Sequence, residues 1–176
     1  MKRVILSLCF IISSVGIFAQ DFFGGGASAG DWGVGMNVVM GAGGRVTNFG
    51  INPKLQYYAT EALRMETSFS YFVEKKDIID WDLNFNFHYV IPMKYGFSVY
   101  PVLGATFLHR NVSFTNYRED GTTFEDAENF GRFGLNAGVG VQYDISPEVY
   151  VDYEIKYQYV SDFDRCNMHV GICYRF

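Results

Sequence analysis

The chain is poor in the residue types that most often carry chemistry. Three cysteines and three histidines occur in 176 residues, and 14 Lys and Arg stand against 19 Asp and Glu, for a net charge of −5. An acidic chain without a basic stripe is not built for nucleic acid. Its glycine-rich runs are not followed by Gly-Lys-Ser/Thr, so no phosphate loop is formed. Only one uncharged apolar run occurs, Val4 to Phe18. It falls short of the ~20 residues that a spanning helix needs, and nothing like it recurs downstream.

That run follows Lys2 and Arg3 and precedes Ala19-Gln20-Asp21, the layout of a secretory signal peptide over residues 1–19. Its removal takes away two bases and no acids, so the mature charge falls from −5 to −7. Cys166 and Cys173 then remain. Seven positions apart on one strand, they would lie roughly 23 Å apart and face opposite sides, which excludes a disulfide between them. Their spacing fits no metal motif, and no cofactor is expected. Residues 20–30 read as a Gly-rich linker.

What the chain does have is alternation. Residues 31–176 divide into eight segments in which every second residue is apolar, from Trp32, Val34, Met36 and Val38 to Val170, Ile172, Tyr174 and Phe176. The fifty positions on these apolar faces hold no Asp, Glu, Lys or Arg. At 19% charge, an unpatterned set would hold about nine. The other faces carry Lys54, Arg64, Arg110, Arg132, Lys156, Arg165 and Arg175 against Glu66, Glu74, Asp80, Asp82, Asp144, Asp152 and Glu154, a balance expected of charges sharing a confined space. Lipid on one face and a polar lumen on the other define an all-β fold: an eight-stranded antiparallel up-and-down transmembrane β-barrel. A soluble barrel would need the opposite parity and a dry interior.

An even strand count puts both termini on one side, expected to be periplasmic. Aromatic residues then sort into two bands, with Trp32, Tyr57, Phe97, Tyr143, Tyr174 and Phe176 near the inner rim and Trp81, Phe107, Phe133, Tyr157 and Tyr159 near the outer one. The expected inner turns are short. The largest connection, Asn111 to Phe130, falls outside and is acidic through Glu119, Asp120, Glu125, Asp126 and Glu128, with Arg118 the one base. Asn48 is expected in an exposed turn.

The signal peptide, the eight amphipathic strands and the Tyr174-Arg175-Phe176 ending resemble the small outer-membrane β-barrel superfamily that includes OmpA-type barrels, OmpX and the opacity-like surface proteins. The resemblance covers Asp31 to Phe176. It implies residence in the outer membrane of a Gram-negative cell, among outer-membrane lipids and lipopolysaccharide, as a monomer. It also implies that Val170, Ile172, Tyr174 and Phe176 form the signal read by the barrel-assembly machinery. The chain stops at its last strand, so the cell-wall tether of longer relatives is not expected.

Eight strands leave an interior just wide enough for side chains. A lumenal charge network of Arg64, Glu66, His88, Asp152, Glu154, Lys156, His169 and Arg175 is expected to plug it. Gly134, Gly138 and Gly140 would make room for Asp152, Glu154 and Lys156, and His88 would pair with Glu66. Nucleophilic catalysis needs a Ser or Thr, a His base and an orienting acid. His109 with Ser113 and the acids of the long connection is the only loose grouping of that kind, and the His-x-Ser signature of the lipid A deacylases is absent because Asn111 stands two after His109. No catalytic, cofactor-binding or metal residue is therefore assigned. The sequence reads as a non-enzymatic surface, adhesion or envelope-integrity protein, with an extracellular protein or cell-surface ligand as partner. A narrow channel for small solutes or ions is the alternative, and a rim-located lipid-modifying enzyme a second.

Overall fold

The structure, a computed structural model, describes residues 27–43, 46–73, 78–117 and 123–176. The expected signal peptide, most of the glycine-rich linker, Glu74, Arg118, Glu119 and Asp120 lie outside the described residues.

Eight strands form the wall: β1 (Trp32–Gly43), β2 (Val46–Tyr58), β3 (Leu63–Phe72), β4 (Ile78–Tyr89), β5 (Phe97–Tyr117), β6 (Thr123–Asp144), β7 (Val149–Val160) and β8 (Arg165–Arg175). Each pairs antiparallel with its neighbours in sequence, and β1 pairs with β8 through Val34↔Tyr174, Val38↔Val170 and Ala42↔Cys166. That pairing closes the sheet on itself. At the seam, Trp32 and Phe176 exchange both backbone hydrogen bonds at 2.8 Å, so the last residue of the chain leaves no open edge. Backbone N–H and C=O groups facing lipid have no water to turn to, and closure is what satisfies them.

The connections at the end that carries the termini are short and locally bonded. Thr60 Oγ1 accepts from the amides of Ala62 and Leu63 at 3.3 and 2.9 Å, and Ser146 Oγ accepts from those of Glu148 and Val149 at 3.3 and 3.0 Å. The third, around Lys94–Gly96, turns through left-handed backbone at Tyr95 (φ 63°) and Gly96 (φ 78°), and is preceded by a two-residue pairing of Ile91–Pro92 with Val99 and Ser98.

None of the fifty charge-free positions is buried within the protein, as lipid-facing residues should not be. Neighbouring rings make contact within both aromatic bands. Trp32 lies 5.0 Å from Tyr57 and Phe97 4.8 Å from Tyr143 at the terminal end, while Trp81, Phe107 and Phe133 are linked at 5.9 and 5.0 Å at the far end. The opposite parity points inward. Arg64, Asp82, His88 and Gln158 have no exposure at all.

Two expectations at the far end are corrected. Residues 111–117 and 123–130 of the expected connection are paired strand, not loop: β5 and β6 stay paired from Phe97↔Tyr143 to Tyr117↔Thr123, with Glu125 opposite Thr115 and Asp126 opposite Phe114. Val112, Phe114, Thr115, Thr123 and Phe124 favour extended backbone, and pairing satisfies amide groups that a loop would leave to solvent. Asn48 is likewise no exposed turn residue. It lies within β2, faces inward and is 6% exposed, because β2 begins at Val46 and keeps its parity to the strand end.

This wall predicts a depth-dependent penalty. Ile155, opposite Val139 and Met168, lies midway along β7, whereas Tyr159 sits in the far aromatic band. Ile155→Arg should cost about 2–4 kcal/mol and Tyr159→Arg about 0–1. Urea unfolding in lipid vesicles measures both, and equal or inverted losses would refute the orientation of β7.

Candidate functional site

The lumen is filled in three layers. Nearest the termini, Arg64 on β3 is fully buried inside a cage of tyrosines from three other strands. Its Nη1 donates to Tyr58 Oη (3.3 Å), Tyr150 Oη (2.9 Å) and Gln142 Oε1 (2.9 Å). The guanidinium carbon lies 4.6 Å from the Tyr100 ring centroid and 5.7 and 5.6 Å from those of Tyr58 and Tyr150. Arg175 also lies over the rings of Tyr58 and Tyr150, at 5.6 and 5.7 Å, and reaches Asp144 at 3.4 Å. Tyr150 in turn donates to Gln56 Oε1. A cation between aromatic faces, with its N–H groups engaged, closes this end of the barrel.

The middle layer is ionic. Lys54 pairs with Asp152, which also accepts from Tyr100 Oη at 3.3 Å. Lys156 pairs with Glu154 at 3.1 Å. Glu66 accepts from Gln56 Nε2 at 2.8 Å and Asn86 Nδ2 at 3.4 Å. Asn136 bridges Asn84 and Asn86, at 2.9 Å to each. In the far layer, Arg165 joins Asp82, Asp80 (3.5 Å) and Gln158 while its guanidinium lies 4.2 Å over Phe72, and Arg110 holds Asp80 with two bonds of 2.7 and 2.6 Å.

All eight residues of the expected network therefore point into the lumen, but their partners differ from the sequence reading. His88 stands opposite Arg64, not Glu66, and accepts from Arg64 Nε and Nη2 at Nδ1, at 3.1 and 2.9 Å. His169 is buried beside Glu154 and Val39, yet neither ring nitrogen has a hydrogen-bond partner. Arg175 belongs to the tyrosine layer. Of the three glycines, Gly138 does lie against Lys156, whose Cβ a side chain there would meet at 2.7 Å. Gly140 instead makes room for the Tyr100 ring, and Gly134 for Val160. Arg132 is exposed and stands outside the lumen. With Arg132 out and Glu74 beyond the described residues, six bases face six acids.

The cage of Tyr58, Tyr100 and Tyr150 went unread in the sequence, although all three sit at inward parity and near the strand ends that flank Arg64. Tyrosine suits either face of such a strand, and only the convergence of β2, β5 and β7 around Arg64 across the lumen shows which role it takes here.

Glu66, His88 and Glu154 offer one ligand atom each within 4.8 Å of one another. The bonding around His88 suits a proton better than a metal. Arg64 can only donate, so Nδ1 must accept, and the ring hydrogen is assigned to Nε2, facing Glu154 Oε2 at 3.9 Å. No lone pair is left for a cation, and Lys156 already neutralises Glu154. His109 lies at the far rim with its ring stacked on Trp81 at 4.9 Å, away from the lumen.

A closed barrel with a charge-free exterior and a neutralised ionic interior is a transmembrane β-barrel. The profile of the outer membrane protein beta-barrel domain matches residues 5–176, and the chain belongs to that family. Its place is the outer membrane of a Gram-negative cell. Solved structures share the fold. Ail, the attachment invasion locus protein of Yersinia pestis, is 20% identical with a TM-score of 0.61 over 84% of this chain and 99% of its own. OprG of Pseudomonas aeruginosa is 13% identical with a TM-score of 0.66 over 86% and 98%. Neisserial surface protein A is 14% identical with a TM-score of 0.57 over 82% and 94%. Ail has also been solved with the heparin analogue sucrose octasulfate. No curated protein matches the sequence.

The middle layer predicts a strong asymmetry. Lys54→Met leaves Asp152 buried without its cation and should cost about 3–5 kcal/mol, whereas Lys54→Met combined with Asp152→Leu should recover much of that loss. Urea midpoints of the three proteins decide it, and a double variant less stable than Lys54→Met would contradict the pairing.

Proposed function

We propose that this protein is a non-enzymatic surface protein whose barrel is a closed anchor and whose acting part is the β5–β6 hairpin. The carrying observation is where that hairpin loses its neighbours. Among the described pairings, β5 contacts β4 only as far as Val112 and β6 contacts β7 only from Gly134, so residues 113–117 and 123–127 pair with each other alone. At about 3.3 Å per residue the hairpin projects about 17 Å past Val112.

With the termini periplasmic, this projection is extracellular. In the sequence from Asn111 to Phe130 the acids Glu119, Asp120, Glu125, Asp126 and Glu128 outnumber Arg118 five to one, which favours a partner with a basic surface over a sulfated ligand such as the heparin analogue solved with Ail. Attachment to a basic cell-surface or protein ligand is the reading we favour, with envelope integrity as the role of the barrel itself. Contacts with lipopolysaccharide at the far aromatic band, and assembly through the Val170–Phe176 signal, belong to the same reading.

The caged Arg64 and the Lys54–Asp152 and Arg165–Asp82 pairs oppose a channel, since a conducting path would have to open the tyrosine cage and break the buried ion pairs of the other two layers. Rim catalysis is opposed by His109, whose ring is committed to Trp81 and has no described carboxylate partner.

Replacing residues 113–127 by a four-residue turn should leave the barrel folded, seen as an intact shift in gel mobility on boiling. Cells displaying the native protein should adhere to a poly-lysine surface and not to a heparin surface, and the shortened form should lose that adhesion. Neither form should conduct in planar bilayers. Steady conductance altered by Glu154→Gln, with adhesion unchanged by the deletion, would establish the channel instead.

A further inference from the structure

The β5–β6 hairpin leaves a free strand edge where β7 ends. Just past the end of β6, Ile145 donates its amide to the Val149 carbonyl at 2.9 Å. Backbone direction alternates along an antiparallel ladder, so odd-numbered residues of β6 turn their N–H and C=O toward β7 and even-numbered ones toward β5. Tyr159, opposite Leu135, directs its carbonyl back to β6 beside Gly134, as this alternation requires. The β6–β7 pairing stops at Gly134↔Val160, where the turn into β8 begins. Gly131 and Asn129, further along β6, therefore face outward with no backbone partner among the described residues.

Side chains on both faces show what this edge lacks. Arg132 is exposed, and its one polar contact among the described residues is Nη1 donating to the Gly131 carbonyl at 3.3 Å. A flexible guanidinium stands where the amide of a neighbouring strand would be. Glu128, on the same face as Arg132, is exposed and has no ion pair among the described residues. On the opposite face Gly131 leaves a notch. A Cβ there would meet the Phe107 ring at 3.1 Å, and Phe133 beside it is 82% exposed. The edge is held in place from both faces: Asn111 Nδ2 donates to Asn129 Oδ1 at 2.8 Å, and the Phe130 ring lies 5.7 Å from that of Phe163. Charges on an edge discourage indiscriminate pairing, and by the same means they select a strand of complementary charge.

We propose that an extended segment of a partner protein adds to β6 as an antiparallel strand over residues 128–133. Its backbone bonds to Gly131 and Asn129, an aromatic side chain covers Gly131, a carboxylate meets Arg132 and a base meets Glu128. Along the partner this reads as acid, aromatic, two further residues, base, because the positions opposite 132, 131 and 128 follow in that order. A second copy in the same membrane stands at equal height and would bring its own Arg132 against this one. The inference rests on the hairpin reading for its extracellular placement and adds the mode of contact.

Fluorescence anisotropy with the full chain refolded in detergent tests it, using the labelled peptide acetyl-Thr-Val-Glu-Phe-Thr-Val-Lys-Thr-amide. Phe and the second Val then lie opposite Gly131 and Asn129, with their amides toward the edge. N-methylation at those two should weaken binding tenfold or more, whereas N-methylation at Glu and the Thr after Phe, whose amides point away, should leave it unchanged. Arg132→Glu should weaken binding about tenfold, and a peptide with Lys in place of its Glu should restore it on that variant. Absence of peptide binding, equal loss from both methylation patterns, no effect of Arg132→Glu, or chain dimers held by this edge would each overturn the proposal. Adhesion to poly-lysine depends on the hairpin acids and not on this edge. Adhesion that survives a failed peptide test leaves the hairpin reading in place, and absent adhesion beside a passed one removes only that reading.

Discussion

Every charge in this chain's membrane-spanning part has one place to go. An Arg or Lys on the lipid face near the midplane costs about 2–4 kcal/mol, so ionisable groups are driven to the inner parity of each strand. There they meet in a space without bulk water, where an unpaired ion is more costly still. The outcome is a lumen in which, among the described residues, six bases face six acids and the central lysines each hold a carboxylate. Outward exclusion and inward neutrality are two consequences of one solvent problem.

Closure is the second requirement. Trp32 and Phe176 fasten the seam, and short bonded turns at the terminal end hold consecutive strands at fixed register. Register matters here more than in an open sheet, because a one-residue slip would send Lys54 or Glu154 into lipid. The ion pairs across the lumen and the aromatic bands around the outside therefore select the same register from opposite faces.

The two ends of the barrel are built differently. At the terminal end a guanidinium stands among three tyrosines, and Gly140 gives up its side chain so that Tyr100 can enter. At the far end the filling is ionic and incomplete, with a pocket above Arg165 and a hairpin continuing beyond its neighbours. A sealed base and an open, uneven mouth suit a molecule that presents a surface.

Strand number, parity and the identity of most lumenal charges, though not Arg132, were legible in the sequence, because lipid acts on each residue by its own chemistry and alternation records that choice along the chain. The two aromatic bands could be read for the same reason. Partnership could not be read. That His88 takes Arg64 rather than Glu66, that Gly140 accommodates a tyrosine, and that Asn48 is buried all depend on which strands face each other across the lumen. The length of the β5–β6 hairpin was hidden as well: Val112, Phe114, Thr115, Thr123 and Phe124 favour extended backbone, but above the bilayer no lipid enforces alternation, and cross-strand contact decides how far the pairing runs. Lipid sorted the residues one by one; only the closed barrel matched them in pairs.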